Sequence, residues 1–144
     1  MAGIPFTSIY PDGPGSAAAG GLPSGGDVLN ALYPGMPAGA TPVHRDALYT
    51  AAGTYALWTP SAGNKFVLTE CFLSTDTAMR IALVDDVDVP GSRPVDGYFS
   101  ANGGADSNLM PVPYPSKSSG NSLRVVVGSA GNVRARVSGW EVPA

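Results

Sequence analysis

The chain has 144 residues, a formal net charge of −3 at pH 7 and a charged fraction of only 13%. This length predicts one principal domain, and the 44% of hydrophobic residues suffices for a buried core. The 8 basic residues are scattered along the sequence, which argues against nucleic-acid binding because phosphate backbones need a basic patch. The apolar runs are too short for a membrane-spanning helix, and the single cysteine excludes an internal disulfide.

Residues 1–46 differ in composition from the rest of the chain. Between Met1 and Pro42 lie nine glycines, seven prolines and only two charged residues, Asp12 and Asp27. Disordered segments are usually poor in aromatic and bulky aliphatic residues, whereas this segment contains several. We therefore predict an extended arm that lies on a neighbouring subunit or on its own body, with a disordered tail as the alternative. The predicted arm anchors are the apolar side chains Ile4, Phe6, Ile9, Tyr10, Leu29, Leu32 and Tyr33.

Residues 47–144 carry the two-residue alternation that is typical of β-strands. The longest alternating run covers residues 65–74, where Phe66, Leu68 and Phe72 are expected on one face and Cys71 on the other. A turn is expected at residues 101–107, and three prolines limit residues 109–114 to an edge segment. The other predicted strands before the C-terminal region are residues 47–50, 54–59, 79–84 and 95–100.

The C-terminal region contains two further alternating runs, around Val125 and around Ala135. The link between them, residues 128–132, is rich in glycine and asparagine, and such a link predicts a β-hairpin. Trp140 is out of phase with the second run, so we expect either a bulge at Gly139 or a tryptophan that caps the core. Seven or eight short strands without a long helix predict an all-β fold, an antiparallel β-sandwich or jelly-roll-like body at 47–144 with an extended Gly/Pro-rich N-terminal arm.

No strong catalytic motif is present, and we expect neither an enzyme nor a cofactor. His44 is the only histidine, and no Gly-x-Ser-x-Gly segment accompanies it. Cys71 is expected to be a buried hydrophobic residue, and one histidine with one cysteine cannot complete a zinc site within the chain. The carboxylates of Asp85, Asp86 and Asp88 are a weak candidate for a cation site because hard cations prefer clustered oxygens, and a solvated loop is the alternative.

Several aromatic residues are candidates for ligand stacking. Tyr98, Phe99 and Tyr114 form the possible surface set, which would suit a carbohydrate. Trp58 and Trp140 are expected to belong to the core or its rim, and the sequence does not separate these roles.

Three features of the sequence are a glycine- and proline-rich leader, the segment Thr-Tyr-Ala-Leu-Trp-Thr-Pro-Ser-Ala-Gly-Asn-Lys-Phe-Val-Leu and the C-terminal segment Ser-Gly-Asn-Ser-Leu-Arg-Val-Val-Val-Gly-Ser-Ala-Gly-Asn-Val. In this combination the chain resembles small β-sandwich proteins of tailed-phage virions. Capsid decoration, or cement, proteins are the most similar group. The resemblance implies a non-enzymatic protein on the outer capsid surface, made in the host cytoplasm. It also implies two partners, the major capsid protein and copies of the chain itself in a homotrimer, with no nucleic acid or membrane partner.

Two alternatives to decoration remain open from the sequence. One is another virion component, such as a head fibre, a neck protein or a tail receptor-binding protein. The other is a carbohydrate-binding β-sandwich module that acts outside any virion.

Overall fold

The computed structural model of the protein describes residues 35–144. The chain divides into two units, residues 1–38 and residues 39–144, and the fold given below is that of the second unit. The predicted arm anchors lie outside the described residues, so their role stays a prediction. The first strand begins at Thr41, which means that residues 41–46, predicted as part of the arm, belong to a sheet.

The second unit is all-β, as the alternation predicts. The described residues contain no helix, and therefore none that is long and apolar enough to cross a membrane. The strands are β1 (Thr41–Tyr49), β2 (Gly53–Trp58), β3 (Asn64–Thr75), β4 (Met79–Asp85), β5 (Val95–Phe99), β6 (Gly103–Asn108), β7 (Tyr114–Pro115), β8 (Leu123–Val127) and β9 (Val133–Pro143).

The strands form two antiparallel sheets with a nested order. The first sheet has five strands in the order β1-β9-β3-β6, with the short β7 also paired to β3, and the second sheet has the order β2-β8-β4-β5. Early strands pair with late ones, since β1 pairs with β9 and β2 with β8, while β3 pairs with β6 and β4 with β5. One core cluster takes side chains from both sheets, so the sheets are the two layers of a β-sandwich.

The predicted C-terminal hairpin is wrong. Its two strands, β8 and β9, belong to different sheets, and residues 128–132 carry the chain from one layer to the other. Val125 of β8 and Ala135 of β9 are both fully buried in the core. A two-residue alternation gives each strand one apolar face, and that face is buried equally well beside its neighbour or opposite it. The alternation therefore predicts the strands but not the sheet to which each belongs.

A β-bulge in β3 reverses the predicted orientation of Phe72. The register between β3 and β9 shifts between Leu68 and Glu70, which leaves Thr69 as the additional residue. Leu68 before the bulge and Leu73 after it both face the core with 0% exposure. Phe72 consequently points away from the core and is 36% exposed, whereas an unbroken alternation predicts it on the same face as Leu68.

The expected bulge at Gly139 is absent, and Trp140 does not cap the core. The pairing of β9 with β1 runs without a shift through both residues. Trp140 is 5% exposed but lies outside the core cluster. A Cβ atom at Gly139 would overlap the carbonyl oxygen of Val67 and lie 3.2 Å from the ring of Trp58, so this position requires glycine for close packing of β9 against β3.

The predicted turn at residues 101–107 is confined to its first part. Asn102 has a φ of 58°, as turn residues often do, but the chain then enters β6, which pairs with β3 from Glu70 to Thr75. The composition of β6 is poor in strand-forming residues, so its conformation follows from pairing with β3. In the predicted edge segment at residues 109–114, only Tyr114 lies in a strand, as the first residue of β7, while Leu109 donates one backbone hydrogen bond to β3.

A buried glutamate closes one end of the sandwich. Glu141 is 6% exposed and accepts hydrogen bonds from Trp58 Nε1 at 3.1 Å, from the backbone N–H of Ser61 at 3.1 Å and from Asn64 Nδ2 at 3.3 Å. Burial by itself raises the pKa of Glu141, but these donors lower it and prevail, so the pKa lies below its usual value. The carboxylate thus joins the end of β2 to β3 and β9.

Candidate interaction surface

The outer face of the first sheet, which points away from the core, carries two neighbouring rows of mostly polar side chains across four strands. The registers of β1, β9, β3 and β6 place these residues side by side. One row is Asp46, Arg136, Phe72 and Asp106, and the other is His44, Ser138, Glu70 and Asn108. We call these eight residues the outer face.

Phe72 and Arg136 form the centre of the outer face. The guanidinium carbon of Arg136 lies 5.8 Å from the centroid of the Phe72 ring, within the range of a cation–π interaction. Arg136 also forms an ion pair with Asp46 at 3.7 Å. An open cavity of about 180 Å³ lies here and is lined by Glu70, Cys71, Phe72, Asp106, Arg136 and Ser138. The exposed ring thus lies in a shallow, polar depression.

The outer face does not form a hydrolytic site with its histidine and serine. His44 Nδ1 and Ser138 Oγ form a hydrogen bond of 2.9 Å, so a base and a hydroxyl group are in contact. However, Ser138 lies in β9, which pairs with β1 on one side and β3 on the other. The backbone N–H groups near Ser138 are therefore committed to the sheet and cannot stabilise an oxyanion. Among the described residues, this arrangement suits contact with another molecule better than catalysis.

The first carboxylate of the predicted acidic cluster is a structural group. Asp85 is 1% exposed, and its Oδ1 accepts hydrogen bonds from Ser116 Oγ at 2.9 Å and Asn121 Nδ2 at 2.9 Å. Its Oδ2 accepts them from Tyr114 Oη at 3.2 Å and the backbone N–H of Lys117 at 2.7 Å. Burial and the neighbouring carboxylate raise the pKa of Tyr114 to about 12. Asp85 therefore holds the segment from β7 towards β8 against the end of β4.

The other two carboxylates of this loop have separate cationic partners. Asp88 accepts two hydrogen bonds from Arg80, at 2.8 Å and 2.9 Å, and one from Arg93 Nε at 2.7 Å. These bonds hold the pKa of Asp88 well below its usual range. Asp86 lies 3.5 Å from Arg124. Within residues 35–144, no three histidine, cysteine, aspartate or glutamate side chains are grouped to hold a metal ion.

The three predicted surface aromatics have different environments. Tyr98 is 86% exposed on β5, whereas Phe99 and Tyr114 are half-buried and pack against the core cluster. Trp58 is 1% exposed and belongs to that core. Of the predicted set, Tyr98 alone offers an open ring for stacking, so the three do not constitute a single platform.

The outer face is not evident as a site from the amino-acid sequence. The arginines of β9 are visible in its alternation, but Phe72 reaches the same face only because of the bulge at Thr69. A bulge of this kind has no clear signal in a run of consecutive apolar and polar residues, and the pairing with β6 comes from a segment whose composition indicates a turn.

No family model matches the sequence, and no curated protein matches it significantly. Several solved structures are similar to the chain. A chain in the acidic stable capsid structure of Helicobacter pylori bacteriophage KHP30 has 12% identity and a TM-score of 0.48, covering 73% of this chain and 94% of the other. A chain in the cyanophage Pam1 capsid asymmetric unit has 11% identity and a TM-score of 0.42, covering 90% and 99%.

The third similar structure is the virus-like particle of the extra small virus of the giant freshwater prawn Macrobrachium rosenbergii. It has 17% identity and a TM-score of 0.35, covering 76% of this chain and 84% of the other. All three TM-scores lie below 0.5, a level at which a common function does not follow.

Proposed function

We propose that the protein is a structural component of a virus particle, a decoration (cement) protein that binds the outer surface of a phage head and bridges capsid subunits. The observation that carries the proposal is the nested strand pairing, β1 with β9, β2 with β8, β3 with β6 and β4 with β5. Eight strands rolled into two four-stranded layers are typical of a jelly roll, an architecture of viral capsid and lectin domains.

The interior of the sandwich supports a non-enzymatic role. The largest fully buried side chains include Trp58, Phe66 and Leu68, so apolar groups fill the space between the sheets. Binding is therefore a property of the surface and of the arm. The low charged fraction of 13% fits a protein that covers part of its surface with a partner.

The proposed mechanism is stapling by the arm. Each isoleucine or phenylalanine anchor that becomes fully buried contributes about 1.5–3 kcal/mol, and the entropic cost of fixing the arm on the capsid offsets part of this. A homotrimer on a symmetric shell would present three arms at once, and such multivalency raises the overall affinity without new contacts. Many copies would then hold the shell together from outside.

The test uses full-length chains and capsids assembled from the major capsid protein of the same virus. In a density gradient, the unmodified chain is expected to sediment with the capsids, and the double variant Ile4→Ser/Phe6→Ser to lose at least tenfold in affinity. Thr7→Ala is the matched control, because it changes a polar residue of the same segment and should bind normally. Full binding by the double variant would remove these anchors from the proposal, and no binding by the unmodified chain would overturn the cement function.

A carbohydrate-binding role is the second candidate, and the 86% exposure of Tyr98 favours it. Exposed aromatic rings can stack on sugar faces, and lectin domains also use the jelly roll. A glycan array with the unmodified chain and Tyr98→Ala separates the two functions. If the unmodified chain binds a glycan and Tyr98→Ala does not, the lectin role is supported. If the unmodified chain binds no glycan on the array, decoration is favoured.

A further inference from the structure

We propose that the outer edge of β6 accepts an extended strand, residues 4–8, from the arm of a second copy of the chain. This would be β-strand addition, in which backbone hydrogen bonds extend a sheet across a subunit boundary. The proposal concerns self-association and is tested without capsids, so its failure leaves capsid binding by the arm undecided.

Within the described residues, β6 is the least protected of the four edge strands. β1 contains Pro42 and two adjacent charged residues, β2 is interrupted by a register shift between Ala56 and Trp58, and β5 holds Asp96 in an ion pair with Arg80. Proline, charge and bulges are the devices that keep edges from pairing. β6 has no proline, lysine or arginine and a single charged residue.

The sandwich is also less closed beside β6 than on its other side. Between β1 and β2 the rings of Tyr49 and Tyr55 stack with centroids 4.6 Å apart. The residues of β6 that face the interior are Gly103, Ala105 and Ser107, which are small and only half-buried. The facing edge strand, β5, is half-buried at its inward positions as well. An added strand with large apolar side chains would fill this side.

The hydrogen-bonding groups of β6 are oriented for such an addition. The N–H of Leu109 donates to the carbonyl oxygen of Thr69 at 2.7 Å. Because bonding to a neighbour alternates along an antiparallel strand, the N–H groups of Gly104, Asp106 and Asn108 point to the opposite side, the outer edge. These three residues are exposed, so a new strand could reach them.

Residues 4–8, Ile-Pro-Phe-Thr-Ser, have the pattern that this edge requires. In an extended strand Ile4, Phe6 and Ser8 share one face and one hydrogen-bonding side. With that side towards β6, the nitrogen of Pro5, which has no N–H, points away, as proline must at a sheet edge. The added strand runs parallel to β6, because only in that direction do the residues that bond to β6 lie on the same face as Ala105. Ile4 and Phe6 then face the interior, where the side chains of β6 are small.

The length of chain before the described residues allows exchange between copies. From residue 8 to residue 35 an extended chain spans up to about 90 Å. The width of the first sheet from β1 to β6 is only about 14 Å, since neighbouring strands lie about 4.8 Å apart. An arm of this reach can bridge to a second copy, and head-to-tail exchange of this kind closes into a ring when the rotation permits.

The first experiment compares two substitutions of Asp106 in the full-length chain by sedimentation velocity. Asp106→Pro removes an outward N–H without breaking the bonds to β3, whereas Asp106→Ala keeps that N–H. We expect the unmodified chain and Asp106→Ala to form the same oligomer and Asp106→Pro to dissociate at least tenfold more readily. Equal association of both variants, or a monomeric unmodified chain at high concentration, would overturn the proposal.

A second experiment does not depend on the stability of the proline variant. Copies with Thr7→Cys are mixed under oxidising conditions with copies carrying Asp106→Cys or Asn108→Cys, while the native Cys71 is buried. We expect disulfide-linked heterodimers, and none with Thr54→Cys, an exposed position on β2. Equal linkage to Thr54→Cys, or no linkage at β6, would contradict the proposal. A third sample is a chain that carries both Thr7→Cys and Asp106→Cys, and a disulfide that forms only within that chain would contradict exchange between copies.

Discussion

Replacing the buried Asp85 by asparagine tests whether a single carboxylate holds the segment from β7 towards β8. Its two oxygens accept four hydrogen bonds. In either orientation, the amide of the substituted side chain would turn an NH₂ group towards two of the four donors. On each side one of the two donors is a hydroxyl group, of Ser116 or Tyr114, which can turn to accept from the NH₂ group, so one hydrogen bond is lost. Hydrogen bonds to a charged group contribute about 1.5–3 kcal/mol each, so the free energy of unfolding falls by about 1.5–3 kcal/mol. For a domain of this size that corresponds to a fall of about 5–10 °C in melting temperature.

The assay is thermal unfolding followed by circular dichroism, with hydrogen exchange over residues 114–121 as a local readout. Asp106→Asn is the matched control, because the same chemical change at an exposed position should alter stability by less than about 0.5 kcal/mol. We expect Asp85→Asn alone to melt early and to exchange faster in the segment. A melting temperature within about 2 °C of the unmodified chain, with unchanged exchange, would refute this account of the carboxylate.

Three further predictions concern the core and the end of the sandwich. Gly139→Ala is expected to destabilise the fold by at least about 3 kcal/mol in urea unfolding, because overpacking against the backbone of Val67 cannot relax easily; a loss below about 1 kcal/mol would contradict this. Glu141 has a lowered pKa, so its contribution is complete above the unfolded-state pKa of about 4.3 and is lost as the pH falls through the folded-state value. Glu141→Gln should therefore show a flatter loss of urea stability between pH 6 and pH 2.5, and parallel curves would exclude the carboxylate as the cause. Burial raises the pKa of the Cys71 thiol, so the native protein should react with a thiol reagent far more slowly than the urea-unfolded chain, and equal rates would place the thiol at the surface.

The strands were the most predictable part of this fold, and their arrangement was the least. The alternation in β8 and β9 identified both strands because a half-buried strand needs one apolar face. It did not distinguish a hairpin from a crossing between layers, since both bury the same residues. β6 was missed because its residues have low strand propensity, and the pairing with β3 overrides that preference.

The candidate site was predictable only in part, for similar reasons. Asp85 and Asp88 have the same side chain and lie three positions apart, yet one is buried among neutral donors and the other pairs with two arginines. Which environment a loop carboxylate enters depends on residues distant in the sequence, such as Asn121, and local composition does not encode that contact. The arm anchors remain a prediction, which the capsid-binding variants can test.

The additional residue in β3 determines what the protein shows to its surroundings. If the bulge were lost while Thr69 stayed in the strand, the unbroken alternation would turn Phe72 inward and Leu73 and Cys71 outward. Deletion of Thr69 would remove the bulge without this exchange, because Leu68 and Glu70 would then be consecutive and already lie on opposite faces. The aromatic surface contact thus depends on a bulge that absorbs one residue, and selection on this surface can act through strand length as well as through side-chain identity.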